Sequence, residues 1–312
     1  MMTIDFEELF ASLPLHYEGK QKRVGIVSAV GVLYGVSHDG YLRLAFLSKT
    51  QPPKLESTRL LRIVDGEESP GVYWLCFDLL SNDVKAAFFA FCQNMTEAVQ
   101  EAGSEAEALA KLRRRYLNWK TLFRNSPKPE IDKKKVQGLF GELYFLKNYM
   151  LTNYPANEAI MSWGGPDATS KDFAINTDWF EVKTIGVSSP CIEISSLAQL
   201  SSAYPGKLAI IRAESMPVEF SNGQSSISEL ISGILAEVID EAVEATLLEK
   251  VASYGVWVSD EAFAIKFDVK SLRKYRVIPG FPRITVDDAP YSEIVDVKYS
   301  ISVAAIEPFA EE

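Results

Sequence analysis

Residues 163–184, WGGPDATSKDFAINTDWFEVKT, decide how the chain is read. Two short runs, Asp172–Ile175 and Trp179–Ile185, flank the polar turn Asn176-Thr177-Asp178, which is the pattern of a β-hairpin. The second run alternates with period two. Phe180, Val182 and Thr184 point one way, and Glu181 and Lys183 the other. A carboxylate and an ammonium thus sit side by side on one face, with an acid, Asp172, on the partner strand. Carboxylates are hard oxygen ligands suited to Mg²⁺, which keeps several waters and pairs with phosphate oxygens. A lysine beside them can orient or deprotonate a water and offset charge on a phosphorane-like transition state.

Pairing geometry constrains this reading. Asp172 shares a face with Glu181 and Lys183 only if an unbulged loop holds an even number of residues. A bulge would relax the requirement. Asp167, in a literal Pro166-Asp167, is the rival first acid. Asp172 is preferred because it enters the hairpin strand, whereas Asp167 lies in a loop bearing glycine and serine. An exposed ion pair on an antiparallel strand would also account for Glu181 and Lys183, but it leaves Asp172 and Glu142 to coincidence.

Upstream, 132–151 carries apolar residues at helical spacing: Val136, Leu139, Leu143, Leu146 and Met150. Glu142 falls at the edge of that stripe. A carboxylate buried there is costly unless it is paired or binds a metal. Gly138 and Gly141 beside it each weaken a helix by about 1 kcal/mol relative to alanine. Both oddities fit a helix lying close to a metal-bearing hairpin.

Asp172, the Glu181-Val182-Lys183 run and the upstream stretch Gly138-Leu139-Phe140-Gly141-Glu142-Leu143 together resemble the core of the PD-(D/E)XK nuclease superfamily. The pattern is similar to an uncharacterised bacterial family of that superfamily, often met near phage-defence genes. The resemblance covers residues 136–200. It implies a restriction-endonuclease-like α/β fold with a mixed-sheet core and Mg²⁺-dependent hydrolysis of DNA, with Mn²⁺ as a substitute ion. By the same resemblance Asp172, Glu181 and the Val182 carbonyl hold the metal and Lys183 orients the attacking water. Glu142 holds a second metal or a water. Gln199 resembles a glutamine of some members that contacts DNA or water. Defence-system partners such as an ATPase or methyltransferase belong to the same implication. The alternative is an inactive module of this fold that binds nucleic acid or a partner protein.

Composition sets bounds. The 312 residues, 47% of them hydrophobic, suffice for one large core or two modest ones. Cys76, Cys92 and Cys191 are odd in number and widely spaced, which favours a reducing cytosol. The N-terminal residues are acidic without a basic, then apolar, leader pattern, and no run of 18 apolar residues occurs, so a cytoplasmic protein is expected. Two histidines supply histidine-based chemistry poorly. The net charge of −10 conceals a basic strip: Lys111–Lys135 holds ten Lys/Arg against two acids, so the rest carries −18. Such a strip suits phosphate contact at one place.

Along the chain, 2–13 reads as a helix, Val24–Val36 and Tyr41–Leu47 as a hairpin turning at Asp39-Gly40, and Thr58–Val64 and Gly71–Leu79 as strands. A helix over 83–102, capped by Ser81 or Asn82, completes a small α+β N-terminal region. The helix 104–125 opens with the capping box Ser104–Glu107 and buries Leu109, Leu112, Tyr116, Trp119 and Phe123. Arg113, Arg114 and Lys120 on its other side are candidate phosphate contacts, with a solvated basic face as the alternative. Ser126-Pro127-Lys128-Pro129 marks a linker, dividing a 1–125 domain from a 126–312 nuclease-like domain. Short strands are expected at 160–163, 191–194, 207–212, 261–269, 276–278 and 294–304. Helices are expected at 197–203 and 227–248, the latter with Ser226 and Glu229 as capping box and Glu244 facing outward.

Overall fold

A computed structural model describes residues 4–120, 123, 133–165, 171–216, 224–254, 265–285, 288 and 297–311. It is a mixed α/β structure with several sheets. The described chain separates into two compact units. One holds residues 4–120 and 123 with Ile231–Ala252; the other holds the described residues between 133 and 230, then 253–254 and those from 265 onward. Asp167 and the Ser126–Pro129 linker lie outside the described residues.

The first unit opens with α1 (Phe6–Ala11), capped by Asp5, whose Oδ1 accepts from the Glu8 N–H at 3.0 Å. Five antiparallel strands follow: β1 (Gln21–Arg23), β2 (Gly31–Val36), β3 (Leu42–Ser48), β4 (Leu61–Ser69) and β5 (Val72–Leu79), in the order β1-β2-β3-β5-β4. The hairpin at Asp39-Gly40 is present, with Gly40 at φ +83°, where glycine is favoured. The strand expected over Val24–Val36 begins only at Gly31, and the one expected over Thr58–Val64 is shifted to Leu61–Ser69, where β4 stays paired with β5 up to the turn at Pro70-Gly71. Helices α2 (Lys85–Gln100) and α3 (Glu105–Lys120) supply the aromatic core: Phe91 meets Phe77, Trp119 and Phe123 edge-on at 5.2, 5.9 and 5.6 Å between centroids.

The second unit begins with α4 (Lys133–Phe145), which runs through a π-helical turn, Leu146–Met150, into α5 (Leu151–Asn153). The apolar stripe from Val136 to Met150 is buried as expected. The strand expected at 160–163 is instead the end of α6 (Ala156–Ser162). Pro155 fixes the backbone at the helix entrance, and only Trp163 makes an isolated bridge, to Phe173.

The hairpin consists of β6 (Phe173–Ile175) and β7 (Asp178–Ile185). Its loop is the two residues Asn176-Thr177, with Asn176 at φ +54°, a conformation asparagine tolerates. Then come β8 (Cys191–Ile194), β9 (Gly206–Met216), α7 (Ile227–Leu235), α8 (Glu241–Ser253), β10 (Lys266–Val277) and β11 (Tyr299–Ser302). The main sheet has the order β10-β9-β7-β6, with β7 and β9 parallel and the outer pairs antiparallel; β8 and β11 form a separate pair. One face of the main sheet packs Trp179, Leu208, Ile210 and Tyr275 with Ile192, Leu200 and Ile301. On β7's other side, Phe180 lies 5.4 Å from Phe145 and 5.5 Å from Tyr149. As an inner strand, β7 is therefore buried on both faces.

Three further expectations are corrected. The single helix over 227–248 is broken into α7 and α8, with Asp240 recapping the chain by accepting from the Ala242 N–H at 2.9 Å. Ser226 and Glu229 do form the capping box that starts α7. The helix expected over 197–203 is only a turn at 197–200. Glu244, expected to face outward, is buried, with its Oε2 3.5 Å from Arg115 Nε, and Arg114 pairs with Glu241. Those pairs tie α8 to α3, so Ile231–Ala252 groups with the first unit rather than continuing the second.

Gly141 sets how close α4 comes to β7. A Cβ there would fall 1.6 Å from Thr184 Oγ1 and 3.0 Å from Thr184 Cβ, whereas one on Gly138 meets nothing within 4 Å. Gly141→Ala should cost about 1–3 kcal/mol through overpacking, and Thr184→Ala should restore part of that loss. Gly138→Ala should be neutral or stabilising by up to about 1 kcal/mol. Chemical denaturation of the four proteins checks the contrast; equal losses at both glycines would refute it.

Candidate active site

The hairpin register decides whether the acids meet. Phe173 pairs with Phe180 and Ile175 with Asp178, and Asp172 directly precedes the first paired residue, a position that the same register continued by one residue would set opposite Glu181. The loop holds two residues, the even count that the shared face requires. Asp172 also touches β7 directly: its Oδ2 accepts from the Val182 N–H at 2.7 Å. Glu181 is 1% exposed and Lys183 17%, so they are not the solvent-exposed pair of the simpler reading. Lys183 Nζ lies 2.9 Å from Glu181 Oε1 and donates to Gln199 Oε1 at 3.3 Å. Val182, between them, is buried on the face towards α4.

Glu142 reaches the same neighbourhood from α4. Its Oε2 accepts from Trp163 Nε1–H at 2.7 Å and from the Tyr254 hydroxyl, 112 residues away. The Trp163 and Tyr254 rings stack at 5.9 Å. Burial pushes the Glu142 carboxyl up to about 8; Asp172's charge adds to this, and the Tyr254 and Trp163 hydrogen bonds oppose it. Glu181 is likewise raised to about 8 by burial, then by Asp172, against the pull of Lys183. Asp172 is raised by burial, opposed by the Val182 N–H, Lys183 and Lys171. Asp172 is thus the acid that disturbs both glutamates.

Three contributors escape sequence reasoning. Trp163 falls in a run read as a strand, and nothing local marks Tyr254. Lys171, adjacent to Asp172, is buried; burial lowers its ammonium to about 8 while Glu181 opposes the shift. A lysine directly before a strand-opening acid is the only signal it offered. Gln199 sits on the 197–200 turn, its Oε1 also accepting from the Ser195 N–H at 2.7 Å. The phosphate-contact candidates are in the other unit. Arg113 is exposed, Arg114 is held by Glu241, and Lys120 Nζ lies 2.7 Å from Glu56 Oε2.

The carboxylates are buried, and Asp172's charge raises the pKa of both glutamates, so a cation placed beside Asp172 would relieve repulsion that the lysines leave in part. Among the described residues, no three His, Cys, Asp or Glu side chains converge into a metal cage. The buried carboxylates Asp172 and Glu181 are oxygen donors of the kind that Mg²⁺ takes together with waters.

A mixed sheet bearing an acid at the hairpin entrance and a Glu-x-Lys face on the inner strand defines a carboxylate-and-lysine site of the PD-(D/E)XK type. The chain belongs to the family described as "Putative PD-(D/E)XK family member, (DUF4420)", whose model matches residues 6–304. No curated protein and no solved structure matches it. Among the described residues, no helix is long and apolar enough to cross a membrane.

A carboxyl whose folded pKa lies above its unfolded value of 4.5 contributes its full stability below that value and loses it as pH rises through the folded one. The metal-free protein should therefore lose thermal stability between about pH 5 and 8, and Glu142→Gln should flatten the slope. Melting curves in chelator measure this; a midpoint that rises over that range contradicts the raised carboxyls.

Proposed function

We propose that the second unit is a restriction-endonuclease-like domain that hydrolyses phosphodiester bonds in DNA with Mg²⁺, Mn²⁺ being a substitute. The observation that supports this reading is the buried Asp172 carboxylate bonded to the Val182 N–H, with Glu181 Oε1 and Lys183 Nζ 2.9 Å apart on either side of that residue. Asp172, Glu181 and the Val182 carbonyl are the residues that would hold the ion. A divalent ion so held supplies Lewis-acid stabilisation of the phosphate oxygens and a lowered pKa for the attacking water.

The protein's own groups do the rest. Lys183, between Glu181 Oε1 and Gln199 Oε1, orients a water and offsets negative charge developing on phosphorus. Glu142, held by Trp163 and Tyr254, provides an acceptor for a water or a second ion. Burial excludes bulk water, which strengthens each of these interactions. Arg113, exposed on the basic helix of the other unit, would be a phosphate contact. Arg114 and Lys120 would first have to leave their acids. A bacterial restriction or phage-defence setting, with an ATPase or methyltransferase as partner, is the biological context we attach to this reading.

The second reading, a non-catalytic module that binds nucleic acid or protein, draws on the engagement of Asp172 Oδ2 with the Val182 N–H. Incubation of supercoiled plasmid with the protein and Mg²⁺ or Mn²⁺ separates the two. Cleavage should fall by about 100-fold or more in Asp172→Ala and Lys183→Ala. DNA retention without metal-dependent cleavage supports the binding module, and equal nicking by variants and wild type points to a contaminating nuclease.

A further inference from the structure

We propose that Lys171 is a positioning residue of this site, holding the 198–199 turn so that the Gln199 side chain receives and aims the Lys183 ammonium. The inference rests on the reading of Glu181 and Lys183 as the reactive face. Lys171 is 8% exposed, and its Nζ donates to the Ala198 carbonyl at 2.7 Å and the Gln199 carbonyl at 2.6 Å. The ammonium also stands 4.1 Å from the Trp179 ring centroid, a cation–π distance. Trp179 shares its side of β7 with Glu181 and Lys183. Arg283 Nη1 donates to the next carbonyl, Leu200, at 2.5 Å. Two cations thus grip three consecutive carbonyls of the turn, of which Ala198 also accepts from the Ser201 N–H at 3.3 Å.

What that grip positions is the Gln199 amide. Its Oε1 accepts from the Ser195 N–H at 2.7 Å and from Lys183 Nζ at 3.3 Å. Both partners can only donate, so the amide oxygen, not its nitrogen, must face them. Lys183 ends in a flexible four-carbon stem. Among the described residues, Gln199 Oε1 accepts from its ammonium and Glu181 Oε1 lies 2.9 Å from it, and these two limit where it can go. Remove the Lys171 ammonium and the carbonyls it holds lose a charged donor, the turn relaxes, and one of those acceptors moves.

The test uses the full chain as Lys171→Met, Lys171→Arg, Gln199→Ala and the Lys171→Met/Gln199→Ala double variant. The Lys183 ammonium is followed by lysine side-chain ¹³C–¹⁵N NMR on metal-free protein, alongside plasmid cleavage with Mg²⁺. Lys171→Met and Gln199→Ala should displace the Lys183 resonance alike, with no further displacement in the double variant. The cleavage kcat should drop about tenfold in each, without a matching change in KM and without additivity. Lys171→Arg keeps the donors and should retain the wild-type resonance, which leaves the idea testable even if the methionine variant does not fold. An unmoved Lys183 resonance in Lys171→Met, a resonance in Lys171→Arg shifted as far as in Gln199→Ala, or additive losses in the double variant would overturn it. Absence of metal-dependent cleavage by wild type removes the nuclease reading, while the NMR arm still decides whether Lys171 positions Lys183.

Discussion

Carboxylates buried within one another's electrostatic reach are the constraint on which the second unit is built. Asp172 raises the pKa of both Glu142 and Glu181, and all three are desolvated. A well-packed apolar cluster of similar volume would usually be at least as stable as such a group of charges. The fold nevertheless supplies it with specific support. Trp163 and Tyr254 donate to Glu142, a main-chain N–H donates to Asp172, and Lys183 lies beside Glu181. Perturbed groups of this kind cluster at functional sites.

The architecture that brings them together is compact in its means. An inner strand with a parallel neighbour on one side and an antiparallel one on the other has no free edge, and β7 is buried from Trp179 to Val182. Its alternation therefore separates two kinds of interior. Phe180 and Thr184 meet α4, while Trp179, Glu181 and Lys183 share the other face. Glycine at 141 lets the helix pack against Thr184, and Asp172's charge raises the carboxyl of the neighbouring Glu142. Lys171 and Arg283 hold the turn that carries Gln199, so the cationic side of the site is as organised as the acidic side.

The first unit shows how charge inventories mislead when pairing is ignored. The basic strip stands out from an acidic chain, yet Arg114 and Lys120 are engaged by Glu241 and Glu56, and Arg115 is buried against Asn94, Glu101 and Glu244. Formal charge counts side chains; what a phosphate would meet is the fraction that no carboxylate already holds.

The sequence by itself determined the features that depend on neighbours within a few residues. The hairpin, the Glu-x-Lys face, the buried stripe of α4 and the Ser226–Glu229 capping box are local periodicities and caps, and they stand where the sequence puts them, save that Asp178, read as part of the turn, opens β7. It misplaced 160–163 and the helix over 227–248 because short apolar runs fit more than one element, and the break before α8 depends on acids whose arginine partners are distant in the chain. Only the tertiary structure decided that Glu142 is gripped by Trp163 and Tyr254, that Gly141 is needed opposite Thr184, and that Lys171 holds the Gln199 turn. Those facts concern distances between segments, and periodicity along a chain carries no information about which segment will lie across from another.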